Sequence, residues 1–209
     1  MIAVIDYGLG NLRSVSKALE SIGAEVEVTN DSEKIARAKA IVLPGVGAFQ
    51  RGMENIKRLD ILPSILQSIK DGKPFLGICL GLQLLFSESQ EHGLHKGMDI
   101  IKGRVKRFEP GIKIPHMGWN QIKITNSKSQ TKVFKGILDR SYFYFVHTYY
   151  VEPKDKETIV AITEYGNDFA SIINKDNVWG VQFHPEKSAE IGLKFLENFC
   201  HYISPVRNY

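Results

Sequence analysis

Apolar and polar positions alternate along the first half of the chain in a pattern that predicts strands followed by helices. Short apolar runs typical of buried strands occur at residues 1–5, 41–43 and 75–78. Between these runs, apolar residues recur at helical spacing, at Leu12, Val15, Leu19 and Ile22 and again from 61 to 69. The alternation predicts an α/β fold with an open, mostly parallel central sheet and helices on both faces.

The second half of the chain is richer in strands, which adds antiparallel strands to the predicted architecture. Candidate strands lie at 101–108, 119–124, 143–151, 158–163, 170–173 and 178–183. A final helix carries Ile191, Phe195 and Phe199 on one side. Because no repeat, low-complexity tract or linker interrupts the chain, we expect a single domain over residues 1–209.

Composition narrows the class to an ordinary globular protein. Of 209 residues, 43% are hydrophobic and 24% are charged, and the net charge is only +4. Basic residues are scattered, so we expect no nucleic-acid partner. No apolar run approaches the roughly 20 residues that cross a bilayer, and no signal peptide is visible, so we expect a cytoplasmic protein without membrane attachment. The two cysteines, Cys79 and Cys200, do not make a disulfide framework.

The first candidate for chemistry is a cysteine between two glycines, in the segment Gly77-Ile78-Cys79-Leu80-Gly81. At a strand-to-helix junction this pattern is typical of a nucleophile elbow, a sharp turn that strains the backbone of the nucleophile. The turn places Cys79 at a helix N-terminus, which favours the thiolate, and directs the Leu80 N–H toward a developing oxyanion. A free cysteine is often just a small buried side chain, but the flanking glycines favour the catalytic interpretation.

A candidate base and its orienting carboxylate follow the last predicted strand, as His184-Pro185-Glu186. Proline fixes the backbone after His184, so both side chains leave the strand end in a defined geometry. A carboxylate two residues away can hold the imidazole tautomer and stabilise the imidazolium. His92 and His95 have metal-like spacing but lie beside Gly93 in a predicted loop without a further ligand, so we expect no metal site.

Two glycine-rich loops follow other predicted strands. Gly45-Val46-Gly47 follows the strand at 41–43, and adjacent parallel strands would bring it beside the elbow. We expect the backbone of Val46 and Gly47 to supply the other half of an oxyanion hole, although an ordinary strand-to-helix turn has the same features. Residues 8–13 begin like a dinucleotide-binding fingerprint, but Arg13 replaces the third glycine, and we expect no cofactor.

Together these motifs resemble those of the class I glutamine amidotransferases. The triad motifs are residues 77–83 (GICLGLQ) and 184–186 (HPE). Further segments, in order along essentially the whole chain, resemble glutaminase subunits that work with a separate synthase: residues 6–12, 44–47, 115–120, 144–149 and 184–188. The resemblance implies a flavodoxin-like fold. It also implies a reaction in which Cys79 attacks the glutamine carboxamide, His184 moves protons and water hydrolyses the thioester.

The resemblance also implies roles for further residues. Glutamine would be held by Gly45, Gln83, Glu91, Thr148 and Tyr149. A cyclase synthase subunit with a barrel fold would receive the ammonia in a heterodimer and would contact Asn11, Met117, Trp119, Tyr144 and Lys187.

Three alternative functions stay open. The first is a paralogue that supplies ammonia to a surface-sugar amidating enzyme and shares every motif above. The second is a catalytically silent binding subunit, against which the intact triad argues. The third is an independent cysteine peptidase or γ-glutamyl hydrolase on the same fold, which would have no need of a docking surface at 115–120.

Overall fold

The computed structural model describes residues 1–125 and 133–203. Its strands are β1 (Ile2–Ile5), β2 (Val26–Thr29), β3 (Ala40–Gly45), β4 (Phe75–Cys79), β5 (Phe86–Ser89), β6 (His95–Lys96), β7 (Ile101–Arg107), β8 (His116–Gln121), β9 (Lys123–Ile124), β10 (Tyr142–His147), β11 (Tyr149–Pro153), β12 (Ile159–Glu164), β13 (Asp168–Lys175) and β14 (Val178–Val181). Its α-helices are α1 (Leu12–Ser21), α2 (Ser32–Arg37), α3 (Phe49–Arg58), α4 (Leu62–Lys70), α5 (Leu80–Leu84) and α6 (Ala189–Ile203). Short 3₁₀ helices lie at Lys156–Thr158 and Pro185–Lys187. Within these described ranges, no helix has the length and apolar character needed to cross a bilayer.

A mixed sheet forms the centre of the fold. Five strands run parallel in the order β2-β1-β3-β4-β14. Antiparallel pairing continues the same sheet through β13 and β11 to β7, and β12 and β9 extend from β13. Beyond β7, β5 pairs in parallel and β6 lies at the edge. The predicted α/β class, with a parallel sheet and added antiparallel strands, is confirmed.

Helices cover both faces of the parallel strands because successive strand residues point to opposite faces. In β1, Ile2 and Val4 pack with α1 and α6, whereas Ala3 and Ile5 pack with α2, α3, α4 and α5 on the other face. Phe195 in α6 is fully buried, and burying a side chain of this size stabilises the fold by roughly 1.5–3 kcal/mol. Each face of the sheet therefore has its own apolar core.

Two predicted segments are divided differently in the structure. The strand predicted at 143–151 breaks at Thr148 because β10 pairs with β8 in a separate two-stranded sheet, whereas β11 joins the main sheet. The helix predicted after Cys79 is α5, which ends at Leu84. Phe86 is fully buried and begins β5, so sheet pairing with β7 ends the helix early.

Loops that leave the carboxyl ends of β1, β3 and β4 meet at one edge of the parallel sheet. In doubly wound sheets this edge, outside the carboxyl ends of the strands, is where ligands bind. Here it carries residues 6–11, residues 46–48 and the turn at Cys79. The register pairs Gly45 directly with Cys79, so the glycine loop lies beside the candidate nucleophile.

Candidate active site

Cys79 lies at the sharp turn between β4 and α5. Its φ is +54° and its ψ is −105°, a conformation that a residue with a Cβ adopts at an energetic cost. The flanking glycines make the turn possible. A Cβ on Gly77 would lie 2.7 Å from the Gly81 carbonyl oxygen, and a Cβ on Gly81 would overlap the Leu43 carbonyl oxygen. The predicted elbow geometry is therefore present at this cysteine.

His184 follows β14 and lies beside Cys79, with Glu186 behind it. Glu186 Oε1 accepts a hydrogen bond from His184 Nδ1 at 2.8 Å, and the two side chains are only 1% and 2% exposed. Because Nδ1 is engaged, Nε2 is the nitrogen left to exchange a proton with the Cys79 sulfur. Nε2 is buried and has no other hydrogen-bond partner in the described part of the chain. The structure thus brings the three predicted triad residues together.

The charges around His184 favour its protonated form. Burial by itself lowers the pKa of an imidazole, but interactions with Cys79 and then with Glu186 outweigh it, and the pKa of His184 is raised. A thiolate at Cys79 and an imidazolium at His184 therefore stabilise each other. This is the state that a cysteine nucleophile needs, because the thiolate rather than the thiol attacks.

Gln182 is a further contact of the sulfur that the sequence analysis did not single out. Its Nε2 donates to Cys79 Sγ at 3.6 Å, and its Oε1 accepts from Gln83 Nε2 at 3.3 Å. Gln182 is fully buried. Since α5 is only five residues long, its dipole is small, and the Gln182 amide is a direct source of stabilisation for a thiolate. The sequence signal was one polar residue inside an apolar segment.

A cavity of about 620 Å³ opens over Cys79. Its wall includes most of the residues predicted to hold glutamine or an oxyanion: Val46, Gly47, Leu80, Gln83, Glu91, Thr148 and Tyr149. A second cavity of equal volume lies on the surface around Lys102, Arg104 and Glu152, but its lining contains neither a cysteine nor a histidine. The chemistry therefore belongs to the cavity over Cys79.

Comparison with known proteins agrees with this geometry. The family model described as glutamine amidotransferase class-I matches residues 3–203. The chain belongs to this family. Imidazole glycerol phosphate synthase subunit HisH of Aquifex aeolicus is 52% identical over 197 residues, which cover 94% of both chains. The protein of the same name from Methanocaldococcus jannaschii is 52% identical over 203 residues, covering 97% of this chain and all of its own length. A crystal structure of a glutamine amidotransferase matches with a TM-score of 0.74 over 96% of this chain and 100% of its own, at 17% identity, which reflects a shared fold.

The candidate glutamine-binding residues of this amidotransferase are partly committed to protein contacts. Gln83 Nε2 donates to the Tyr149 carbonyl at 3.0 Å as well as to Gln182, which leaves its Oε1 for a ligand. Glu91 Oε2 accepts from the Phe49 N–H at 2.6 Å, which fixes the carboxylate at the cavity wall. Gly45 lies behind the wall, paired with Cys79. In the described residues, no group of three or more His, Cys, Asp or Glu side chains could hold a metal.

The residues predicted to face a partner lie around one exposed surface of the amidotransferase. We call the antiparallel pair β8 and β10 the β8–β10 ribbon. In it Trp119 pairs with Tyr144, their rings 6.2 Å apart, and Met117 pairs with Val146. Met117 and Trp119 are 62% and 52% exposed. Lys187 Nζ lies 6.0 Å from the centre of the Tyr144 ring, and Lys187 also lines the cavity over Cys79. Asn11 comes just before α1, and α1 contacts the 3₁₀ helix that contains Lys187.

The β8–β10 ribbon is hydrogen-bonded directly to the triad of the amidotransferase. His184 N donates to the Tyr144 carbonyl at 2.8 Å, and Tyr144 N donates to Ser188 Oγ at 2.9 Å. Ser188 Oγ in turn donates to the His184 carbonyl at 2.7 Å. Cys79 Sγ lies 3.9 Å from the carbonyl oxygen of Val146. One strand of the exposed ribbon therefore contacts both the nucleophile and the base.

Two buried histidines join the ribbon to the glutamine site through a directed chain of hydrogen bonds. His147 Nδ1 donates to the Tyr149 carbonyl at 2.9 Å, so its Nε2 accepts from His116 Nδ1 at 2.9 Å. His116 Nε2 then accepts from Asn120 Nδ2 at 3.2 Å. Both histidines are neutral in this chain, because burial lowers the pKa of His147 to about 3 and that of His116 to about 4.

Proposed function

We propose that the chain is the glutaminase subunit of an imidazole glycerol phosphate synthase in histidine biosynthesis, acting in the cytoplasm. In this role it hydrolyses glutamine and passes ammonia to a separate cyclase subunit with a barrel fold. The observation that carries the proposal is the Cys79–His184–Glu186 triad bonded to the exposed β8–β10 ribbon. Relatives at 52% identity over nearly the full chain, named as subunits of this synthase, support it.

The first half of the proposed reaction releases ammonia. The Cys79 thiolate forms a bond to the side-chain carboxamide carbon of glutamine, and the carbonyl oxygen becomes an oxyanion. The Leu80 N–H and an N–H of the Val46–Gly47 segment hold that oxyanion. The His184 imidazolium gives its Nε2 proton to the amide nitrogen, the C–N bond breaks and ammonia leaves. A glutamyl thioester on Cys79 is left behind.

The second half of the reaction restores the enzyme. Neutral His184 takes a proton from water as the water oxygen attacks the thioester carbonyl. The C–S bond breaks, glutamate leaves and the thiolate–imidazolium pair forms again. Glutamine and one water thus give glutamate and ammonia. Glu186 holds the imidazole in one orientation through both halves.

The test is glutamine-dependent synthesis by the chain copurified with its cyclase subunit. Cys79→Ala should abolish synthesis from glutamine and leave synthesis from ammonium salts, because Cys79 acts in releasing ammonia and ring closure occurs on the partner. Cys200→Ala is the matched control and should change neither activity. Burial, with a smaller effect from Glu197, raises the pKa of Cys200 to about 11, so it stays a thiol.

Two results would contradict the proposal. If Cys79→Ala removed both activities in a folded, assembled complex, release of ammonia and its use would not be separate. If the parent chain hydrolysed glutamine but neither bound nor supplied the cyclase, a paralogous role such as amidation of a surface sugar would be favoured instead.

A further inference from the structure

The hydroxyl of Tyr7 is buried beside the active site without a hydrogen-bond partner in the described part of the chain. Tyr7 is 1% exposed, and its Oη is a buried polar atom that lacks a partner. An unpaired buried hydroxyl disfavours folding, and phenylalanine would fill the same space without that cost. A tyrosine here is therefore explained by a hydrogen bond that forms in another state of the site.

The position of the hydroxyl identifies the groups it can reach. A Cβ built on Gly45 would overlap Tyr7 Oη, so the hydroxyl packs directly against this glycine. That Cβ position would also lie 2.9 Å from Leu80 Cβ and 3.3 Å from the backbone N of Gly81. The hydroxyl is thus close to both backbone segments that carry the candidate oxyanion donors. Burial, and then the charge of Cys79, raises the pKa of Tyr7, so the hydroxyl keeps its proton and remains a donor.

Gly45 is placed to act as a hinge for the peptide that follows it. Without a Cβ, it can rotate the Gly45–Val46 peptide plane over a wide range. In a trans peptide the Val46 N–H and the Gly45 carbonyl point in opposite directions. Tyr7 belongs to the core on one face of the sheet and Cys79 to the core on the other. A rotation that turns the N–H toward a substrate on Cys79 therefore turns the carbonyl toward Tyr7.

We propose that Tyr7 is a positioning residue for the oxyanion hole. Its hydroxyl donates to the Gly45 carbonyl when the Val46 N–H turns toward the oxyanion, and this bond stabilises the active orientation of the loop. The inference rests on the proposed function, because it presupposes that an oxyanion forms from glutamine on Cys79. This hydrogen bond explains both why the hydroxyl is unpaired in the resting fold and why residue 45 has no Cβ.

The test is Tyr7→Phe in the complex with the cyclase subunit. The kcat for glutamine hydrolysis should fall about 10-fold, the effect of one lost hydrogen bond, while KM is unchanged. The urea midpoint of unfolding should be unchanged or higher, because the hydroxyl has no partner in the resting fold. Tyr202→Phe, which removes a hydroxyl from a ring packed on Trp179, is the control and should leave kcat unchanged. An unchanged kcat in Tyr7→Phe would overturn the proposal.

A second measurement separates the oxyanion hole from the nucleophile. Alkylation of Cys79 by iodoacetamide displaces iodide and develops no oxyanion, so Tyr7→Phe should leave its rate unchanged in a Cys200→Ala background. Slower alkylation, by the same factor as hydrolysis, would mean that Tyr7 acts on the thiolate and would overturn the assignment. If the parent complex itself released no glutamate, the proposed function would fail, and that failure is distinct from equal rates in parent and variant.

Discussion

Replacing Glu186 with glutamine should slow glutamine hydrolysis by about 10-fold. The new side chain keeps an oxygen within reach of His184 Nδ1, where the carboxylate now accepts at 2.8 Å. The charge is lost: a hydrogen bond to a charged group contributes about 1.5–3 kcal/mol, and one between neutral groups about 0.5–1.5 kcal/mol. The difference of about 1–1.5 kcal/mol corresponds to about 10-fold in the stability of the imidazolium.

Replacing His184 with alanine should be far more damaging than this change. It removes the group that moves protons, and general acid–base catalysis contributes about 100- to 10,000-fold. The amide nitrogen of Glu186→Gln would occupy the place of Oε2, which is buried and unpaired. An unpaired amide nitrogen at this buried position lowers the free energy of unfolding, so the stability of each variant is measured separately by urea unfolding. Synthesis from ammonium salts shows whether each variant assembles with the cyclase subunit.

The assay is glutamate release by the complex at saturating glutamine, followed over pH. Glu186 contributes to the raised pKa of His184, so its neutralisation lowers that pKa. The imidazolium is then lost at a lower pH, and the alkaline limb of the kcat profile should move to lower pH. Glu190→Gln, an exposed carboxylate at the start of α6, is the control. Equal, total losses in Glu186→Gln and His184→Ala, or an alkaline limb that stays in place, would refute the assigned roles.

Two further predictions concern the partner surface and the histidine chain. The lone chain should hydrolyse glutamine slowly, because an absent oxyanion donor lowers the rate about 100- to 1000-fold, and a lone chain at the full stimulated rate would contradict this. Trp119→Ala should weaken both the binding of the cyclase and the stimulation of glutamine hydrolysis by the cyclase, whereas Leu66→Ala on α4 should weaken neither. The free energy of unfolding should fall as pH drops from about 6.5 toward 4. In the folded chain the pKa values of His116 and His147 are about 4 and about 3, below the value of about 6.5 for a histidine in the unfolded chain, so the unfolded state binds more protons over this range. Each histidine adds up to about 1.4 kcal/mol per pH unit to the slope of the free energy of unfolding against pH. Urea unfolding of the parent and of His147→Gln would measure these slopes, and identical slopes would contradict the prediction.

The triad region could be predicted from sequence because each part is a local signature. Gly77 and Gly81 flank Cys79 at positions where a Cβ would clash with backbone atoms, so five consecutive residues are enough to predict the tight turn. His184 and Glu186 are two residues apart, so one proline-fixed segment holds both. Parallel strand order then places the Gly45 loop beside Cys79 without any further information.

The residues that complete the site depend on pairing between distant segments, which sequence patterns do not encode. Gln182 reaches Cys79 across 103 residues of chain, and within its own segment it is one polar position among apolar ones. The contact between His116 and His147 exists because the register of β8 and β10 places the two residues opposite each other. The Tyr7 hydroxyl packs against Gly45 only because β1 pairs with β3, which brings together two residues that are far apart in sequence.

Strand β10 explains how partner binding and proton transfer can be coupled without a long pathway. Its residues alternate in burial, with Tyr144 and Val146 partly exposed and Phe145 and His147 buried. The Tyr144 side chain meets the exposed aromatic surface while its backbone bonds to His184, and the Val146 carbonyl lies against the Cys79 sulfur. A partner that shifts or steadies this one strand acts on the base and the nucleophile together. Coupling of this kind needs a partner that prefers one position of the strand, and the free energy for it would come from docking at Trp119 and Tyr144, which are predicted to face the partner.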